Sequence, residues 1–140
     1  MRVFTDNSRQ SPITRTMNLA PRRYAGAVVL RVEGRLDQDT CDAFRGDLMR
    51  EVDTAAREGG TVVLDLSGLE YVSSAGLRCF MLASREAKAL QARIYVAQLQ
   101  PMVDEIFGIR HFNLVFQVFP TVREAVAAVS PEAAAAYART

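Results

Sequence analysis

The sequence is poor in the residues that many catalytic and metal sites require. It has no tryptophan and a single histidine, His111. One histidine excludes a cluster of histidine metal ligands and leaves no second candidate for a histidine-based triad. No Gly-x-x-x-x-Gly-Lys phosphate loop occurs, and Gly59-Gly60 ends a helical pattern instead of beginning one. We therefore expect a protein that is not an enzyme and that needs neither a cofactor nor a metal ion.

The sequence also lacks a charge excess and a long apolar run. Its 17 basic and 16 acidic residues are interspersed and give a formal net charge of +1, which predicts no direct binding to nucleic acid or to anionic membranes. Neither end carries an apolar run of about 18 residues or a signal-peptide core. The two cysteines, Cys41 and Cys79, occupy apolar positions of helical patterns, which predicts buried, reduced thiols. Together these features predict a cytoplasmic protein.

Apolar patterning predicts alternating strands and helices over most of the 140 residues. The predicted strands cover 14–19, 28–33, 61–66, 93–97 and 114–119, and the first two are expected to pair as a hairpin across a turn near 22–26. The predicted helices begin at Asp39 or Thr40, at the serines 73–74, at Pro101 and at Thr121. This order indicates an α/β fold, a single domain over 13–129 with a mixed, mostly parallel sheet of four to five strands and about four helices. A flexible segment, 1–12, would precede it, and an alanine-rich tail, 130–140, would follow.

Two serines, Ser73 and Ser74, lie where the second helix is predicted to begin. A serine there can cap the helix, and the same N–H groups and helix dipole also favour an added phosphate. Because position 72 is Val, Ser74 is not part of a Gly-x-Ser-x-Gly nucleophile motif. The serines follow one predicted strand and the segment 37–40 follows another, so both should meet at the carboxyl ends of parallel strands.

Two motifs occur in order along the chain, separated by one helix and one strand. Residues 34–40 contain a strand-end Gly-x-Leu-Asp with Thr three residues on, and residues 65–78 read Asp-Leu-Ser-Gly-Leu-Glu-Tyr-Val-Ser-Ser-Ala-Gly-Leu-Arg. Together they resemble the signature of the STAS domain, the fold of bacterial anti-sigma factor antagonists. In that family the phosphorylated serine lies two residues before a Gly-Leu pair, which is Ser74 here. Many members have Asp immediately before it, where this chain has Ser73, so Ser73 is a second candidate for modification.

The resemblance implies a partner-switching role. The unphosphorylated domain would bind an anti-sigma factor serine kinase that binds ATP, and would so release a sigma factor. Phosphorylation would break this contact, and a metal-dependent serine phosphatase would reverse it. Besides the phosphoacceptor Ser74, the residues expected to contact the partner are Asp37, Thr40, Ser73, Ala75, Gly76 and Arg78.

Simpler interpretations of these residues stay open at this level. Asp37 could only cap the first helix, Gly76 could serve packing, and Arg78 could be a solvated side chain instead of a phosphate ligand. Two alternative functions also remain. One is a STAS scaffold or output module that controls secretion, motility or biofilm formation without a sigma factor, and the other is a small-ligand or nucleotide-binding domain.

Overall fold

The computed structural model describes residues 19–140, apart from the side chain of Asn113. The expected flexible segment 1–12 and most of the expected strand 14–19 lie outside these residues. The strands are β1 (Arg22–Tyr24), β2 (Ala27–Leu36), β3 (Thr61–Val72), β4 (Arg93–Ala97) and β5 (Gln117–Phe119). The helices are α1 (Cys41–Glu58), α2 (Ser74–Ala89), α3 (Pro101–Ile109), α4 (Val122–Val129) and α5 (Pro131–Ala138), with a 3₁₀ turn at Phe112–Leu114.

The strands form one sheet in the order β1-β2-β3-β4-β5. β1 is antiparallel to β2, and the other neighbouring pairs are parallel. The prediction of a mixed, mostly parallel α/β sheet is confirmed. The sheet has five strands, and the described helices number five where about four were expected.

The hairpin forms, but not from the residues that we expected. Its first strand is Arg22–Tyr24, inside the segment predicted to be the turn, and Leu19 is not in a strand. The turn is only Ala25 and Gly26, both with positive φ, as a type I′ hairpin turn requires. Arg22 and Arg23 are exposed strand residues, while the neighbouring Tyr24 is buried.

β3 is six residues longer than predicted, because it continues to Val72 instead of ending at Leu66. Its pairing with β2 shifts register twice, each time with an extra residue in β3. The buried side chains beyond Val63 are Leu64, Leu66, Leu69 and Val72. Their spacing changes from two to three residues where the bulges occur, so the alternation that identifies a strand is lost from the sequence.

The sheet buries a separate apolar cluster on each face. One face packs against α1, α2 and α3 around Phe44, Phe80 and Phe107. The other face packs against α4 and α5. Residues 130–140, expected to be an alanine-rich tail, include α5, whose Ala133 is buried and whose Tyr137 packs with its ring centroid 5.2 Å from that of Tyr24.

β5 is shorter than the predicted strand 114–119. Phe112–Leu114 form the 3₁₀ turn instead, and Leu114 is 79% exposed. The reason is that Phe112 and Phe116, spaced as on a helix, both turn inward to the cluster around Phe107. The prediction that the strand begins at residue 114 was therefore wrong, because the helical spacing of the two phenylalanines lies within a sequence that otherwise resembles a strand.

The arrangement of the two cysteines differs from the prediction of buried, reduced thiols. Cys79 is buried as predicted, but Cys41 is only partly buried, and the two are joined by a disulfide with their Cα atoms 6.1 Å apart. The pairing arises because α1 and α2 pack side by side, which brings the start of α1 against the second turn of α2. The prediction of separate reduced thiols is therefore wrong for this structure, and the cysteines no longer argue for a reducing compartment.

Candidate functional site

The two motif segments meet at the carboxyl ends of β2 and β3. Leu36 and Val72, the last residues of these strands, are register partners. Directly beyond them, the N–H of Ser73 donates to the carbonyl oxygen of Leu36 at 2.9 Å. The loop before α1 and the start of α2 are thus fixed side by side, as expected from parallel strands.

The loop 37–40 is closed by its own hydrogen bonds. The Asp37 carboxylate accepts from the N–H groups of Asp39 (3.0 Å) and Thr40 (3.3 Å). The Thr40 hydroxyl accepts from the Asp37 N–H at 3.0 Å and donates to the Arg35 carbonyl at 2.9 Å. Asp37 therefore shapes the loop ahead of α1. Thr40 occupies the N-cap position but makes no side-chain cap bond to the helix.

Thr40 is expected to be a structural support of this loop, because the residue is only 8% exposed. Thr40→Val keeps the shape but leaves the Asp37 N–H and the Arg35 carbonyl without their partner. The free energy of unfolding should fall by about 1–2 kcal/mol. Thr54→Val is the matched control, because the Thr54 hydroxyl only bonds the Arg50 carbonyl of its own exposed helix turn. Urea denaturation should show a loss for Thr40→Val and almost none for Thr54→Val; equal losses would contradict the assignment.

The two adjacent serines have different surroundings. Ser73 is the N-cap of α2, and its hydroxyl accepts from the Gly76 N–H at 3.2 Å. Ser74 is the first residue of the helix and is exposed. The hydroxyl of Ser73 is thus occupied in the cap, whereas that of Ser74 faces solvent at the positive end of the helix dipole.

Gly76 is required by the close approach of α2 to β2. A Cβ at this position would lie 2.9 Å from Val72 Cγ2 and 3.1 Å from the Leu36 carbonyl carbon, and closer still to the Leu36 oxygen. From the sequence, Gly76 could serve either packing or contact with a partner. In the structure it serves packing, because the absence of a side chain allows α2 to lie against the end of β2.

A shallow groove of about 250 Å³ borders Ser74. Its floor is apolar and its rim carries two arginines; it is lined by Ser74, Leu77, Arg78, Met81, Arg110 and Phe112. The helical spacing of Leu77, Phe80 and Met81 predicts three core residues, but Met81 is only partly buried and faces this groove. Arg110 was missed, because it follows α3 and no local pattern places the end of α3 beside α2.

The structure brings the expected partner-contact residues close together, although Thr40 and Gly76 are buried and only their neighbours reach the surface. Ser73, Ser74, Ala75 and Gly76 form the start of α2, Arg78 follows one turn on, and the loop from Asp37 to Thr40 lies alongside. Ala75 also links the segments, since its carbonyl oxygen lies 3.5 Å from Cys41 Sγ. Over residues 19–140, no three His, Cys, Asp or Glu side chains converge as a metal site would need. None of the helices in that range could span a bilayer.

Comparison with known proteins agrees with this fold. A family model described as the STAS domain matches residues 18–125. BtrV of Bordetella bronchiseptica, named as an anti-sigma factor antagonist, is 33% identical over 112 residues, covering 80% of this chain and 93% of BtrV. A Thermotoga maritima protein assigned to the same class superposes with a TM-score of 0.71 at 14% identity, covering 79% of this chain and 93% of that one. For the Bacillus protein SpoIIAA, unphosphorylated, the TM-score is 0.59 at 22% identity, covering 77% and 92%.

These matches cover both motif segments and the sheet between them. The solved structures share the fold with this chain, and BtrV shares enough sequence to be a relative. The chain belongs to the STAS domain family and is a homologue of anti-sigma factor antagonists.

Proposed function

We propose that this protein is an anti-sigma factor antagonist in a phosphorylation-controlled partner-switching circuit. Unphosphorylated, it binds an ATP-binding serine kinase that acts as the anti-sigma factor, and this binding releases a sigma factor. The kinase phosphorylates Ser74, and a metal-dependent serine phosphatase removes the phosphate. The protein is then a substrate of enzymes and not itself an enzyme, and it acts in the cytoplasm.

The proposal is carried by the contrast between the two serines. A kinase needs a free hydroxyl, and the Ser73 hydroxyl is engaged with the Gly76 N–H while Ser74 is exposed. The class of function is supported by BtrV, which carries the antagonist name. Phosphorylation is supported by SpoIIAA, which has been solved in a phosphorylated form.

The surroundings of Ser74 explain how a phosphate could act. It adds about −1.5 to −2 charges. In the free protein this charge meets the N-terminus of α2, and Arg78 and Arg110 line the same groove as Ser74. In the complex the same charge would be buried against the partner, where its desolvation opposes binding. Phosphorylation therefore weakens the contact without unfolding the domain.

Phosphate mapping tests the assignment of the acceptor. The wild type, Ser73→Ala and Ser74→Ala are each incubated with the purified anti-sigma kinase of the source organism and Mg-ATP. Intact mass and peptide mapping should place one phosphate on Ser74 in the wild type and in Ser73→Ala, and none in Ser74→Ala. Ser73→Ala also loses the helix cap, at a cost of about 1 kcal/mol of stability, so it is assayed well below its melting temperature.

Several outcomes would contradict the proposal. Phosphate on Ser73, or phosphate that persists in Ser74→Ala, would overturn the choice of acceptor. The sigma factor step is tested by adding the unphosphorylated protein to a preformed complex of kinase and sigma factor and following release of the sigma factor. Phosphorylation without release would exclude the sigma-factor role and favour a scaffold or output module.

A further inference from the structure

Both cysteines of the chain lie at the base of the candidate site. Cys41 is the first residue of α1, directly after the loop 37–40, and Cys79 lies on α2, five positions after Ser74. Their Cα atoms are 6.1 Å apart, within the usual range for a disulfide, and 38 positions separate them in sequence. With only two cysteines in the chain, neither has another intramolecular partner.

The two sulfurs differ in accessibility. Cys79 is 2% exposed, whereas Cys41 is only partly buried, with its Sγ 3.5 Å from the Ala75 carbonyl oxygen. A dissolved oxidant can therefore reach Cys41 first, and Cys79 is held beside it as the resolving sulfur. Two cysteines that only filled the core would need neither this pairing nor an accessible member.

We propose that Cys41 and Cys79 are a redox modification site, a reversible dithiol–disulfide pair that ties the Asp37 loop to the start of the serine helix. The oxidant is a peroxide, and the reductant is a small-molecule thiol. The proposal stands on the positions of the two cysteines and is independent of the identity of the protein partner.

The chemistry balances in two steps. The Cys41 sulfur attacks a peroxide oxygen, so that an S–O bond forms, the O–O bond breaks, and with hydrogen peroxide one water leaves. The Cys79 sulfur then displaces the oxygen from Cys41, forming the S–S bond and releasing a second water. The two sulfurs lose two electrons and two protons in total, and the peroxide gains them. Thiol–disulfide exchange with a small-molecule thiol reverses the change.

The test uses the full chain, reduced with dithiothreitol and then treated with hydrogen peroxide. Intact mass should fall by two hydrogens, and the melting temperature should rise by about 5–15 °C on oxidation. After each form is unfolded in guanidinium chloride, which exposes the buried Cys79, iodoacetamide should modify both cysteines only in the reduced form. Amide hydrogen exchange should slow in the oxidised form at residues 37–41 and 73–79. Dithiothreitol should restore the reduced values.

Cys41→Ser is the main control, since serine is tolerated at this partly buried position. Cys79→Ala is the second variant, because serine would be unfavourable in the core. Neither should form an intramolecular disulfide, and exchange at 37–41 and 73–79 should no longer differ between peroxide-treated and untreated samples. Three results would each overturn the proposal. Both thiols could remain open to alkylation after peroxide treatment, dimers could form in place of the internal bond, or amide exchange could be identical in the two wild-type states. None of these readouts requires a kinase or phosphorylation, so failure here is distinct from failure of the proposed function.

Discussion

Gly76→Ala is expected to lower the free energy of unfolding by about 3 kcal/mol. Its Cβ would enter the backbone carbonyl of Leu36 and the side chain of Val72. Neither Leu36 nor Val72 can move away without disturbing the sheet, because both lie at the ends of paired strands. Overpacking of this kind costs about 1–3 kcal/mol or more. Small domains have only about 5–15 kcal/mol of stability in total. Urea denaturation followed by circular dichroism measures the change.

Gly46→Ala provides the matched control for this prediction. Gly46 lies within α1 and is exposed, and nothing lies within 4 Å of where its Cβ would be. Alanine there should stabilise the domain by up to about 1 kcal/mol through helix propensity alone. The two substitutions are chemically identical and should change stability in opposite directions. A neutral or stabilising effect of Gly76→Ala would show that α2 can move away from β2 without cost.

Phosphorylation of Ser74 is expected to weaken binding to the anti-sigma kinase by about a hundredfold, and Ser74→Asp by about tenfold, a free-energy difference of about 1.4 kcal/mol for the variant. Aspartate has one charge and two oxygens, fewer than phosphoserine, so its effect should be partial. Ser74→Ala should bind as tightly as the unphosphorylated wild type. Isothermal titration calorimetry with the purified kinase and a non-hydrolysable ATP analogue measures all four forms.

Ser84→Asp is the control for charge on the same helix. Ser84 lines a different groove, between α2 and β4, and lies ten positions beyond Ser74. The kinase should bind Ser84→Asp with wild-type affinity if the effect belongs to the serine surface. Equal weakening by both aspartates would indicate a general charge effect, and equal affinity of all the Ser74 forms would remove the switch.

Elements with strong local signals could be predicted from the sequence. α1 ends where Gly59 adopts a left-handed conformation, α3 begins with Pro101, and the Thr121 hydroxyl accepts from the Glu124 N–H as a cap. Each signal acts within one helical turn. The convergence of the two site loops was also predictable, because it follows from the parallel order of β2 and β3.

Features that depend on distant parts of the chain could not be predicted. The bulges of β3 arise from its pairing with β2, and the position of Arg110 beside Ser74 depends on how α3 packs. The contact between Cys41 and Cys79 likewise depends on the packing of α1 against α2. The sequence also left the choice between Ser73 and Ser74 as cap open, and only the hydrogen bond to Gly76 distinguishes them.

The two edge strands, β1 and β5, also limit how this domain can be recognised. Within residues 19–140, each has only three residues. A partner that bound by adding its own strand would find too few free backbone groups to form a stable ladder, and short edges also discourage aggregation between sheets. In the proposed complex, recognition would then use side chains and loop backbone at the carboxyl ends of β2 and β3. Such a partner would recognise the surface shape and charge of the domain and would not add a strand to its sheet.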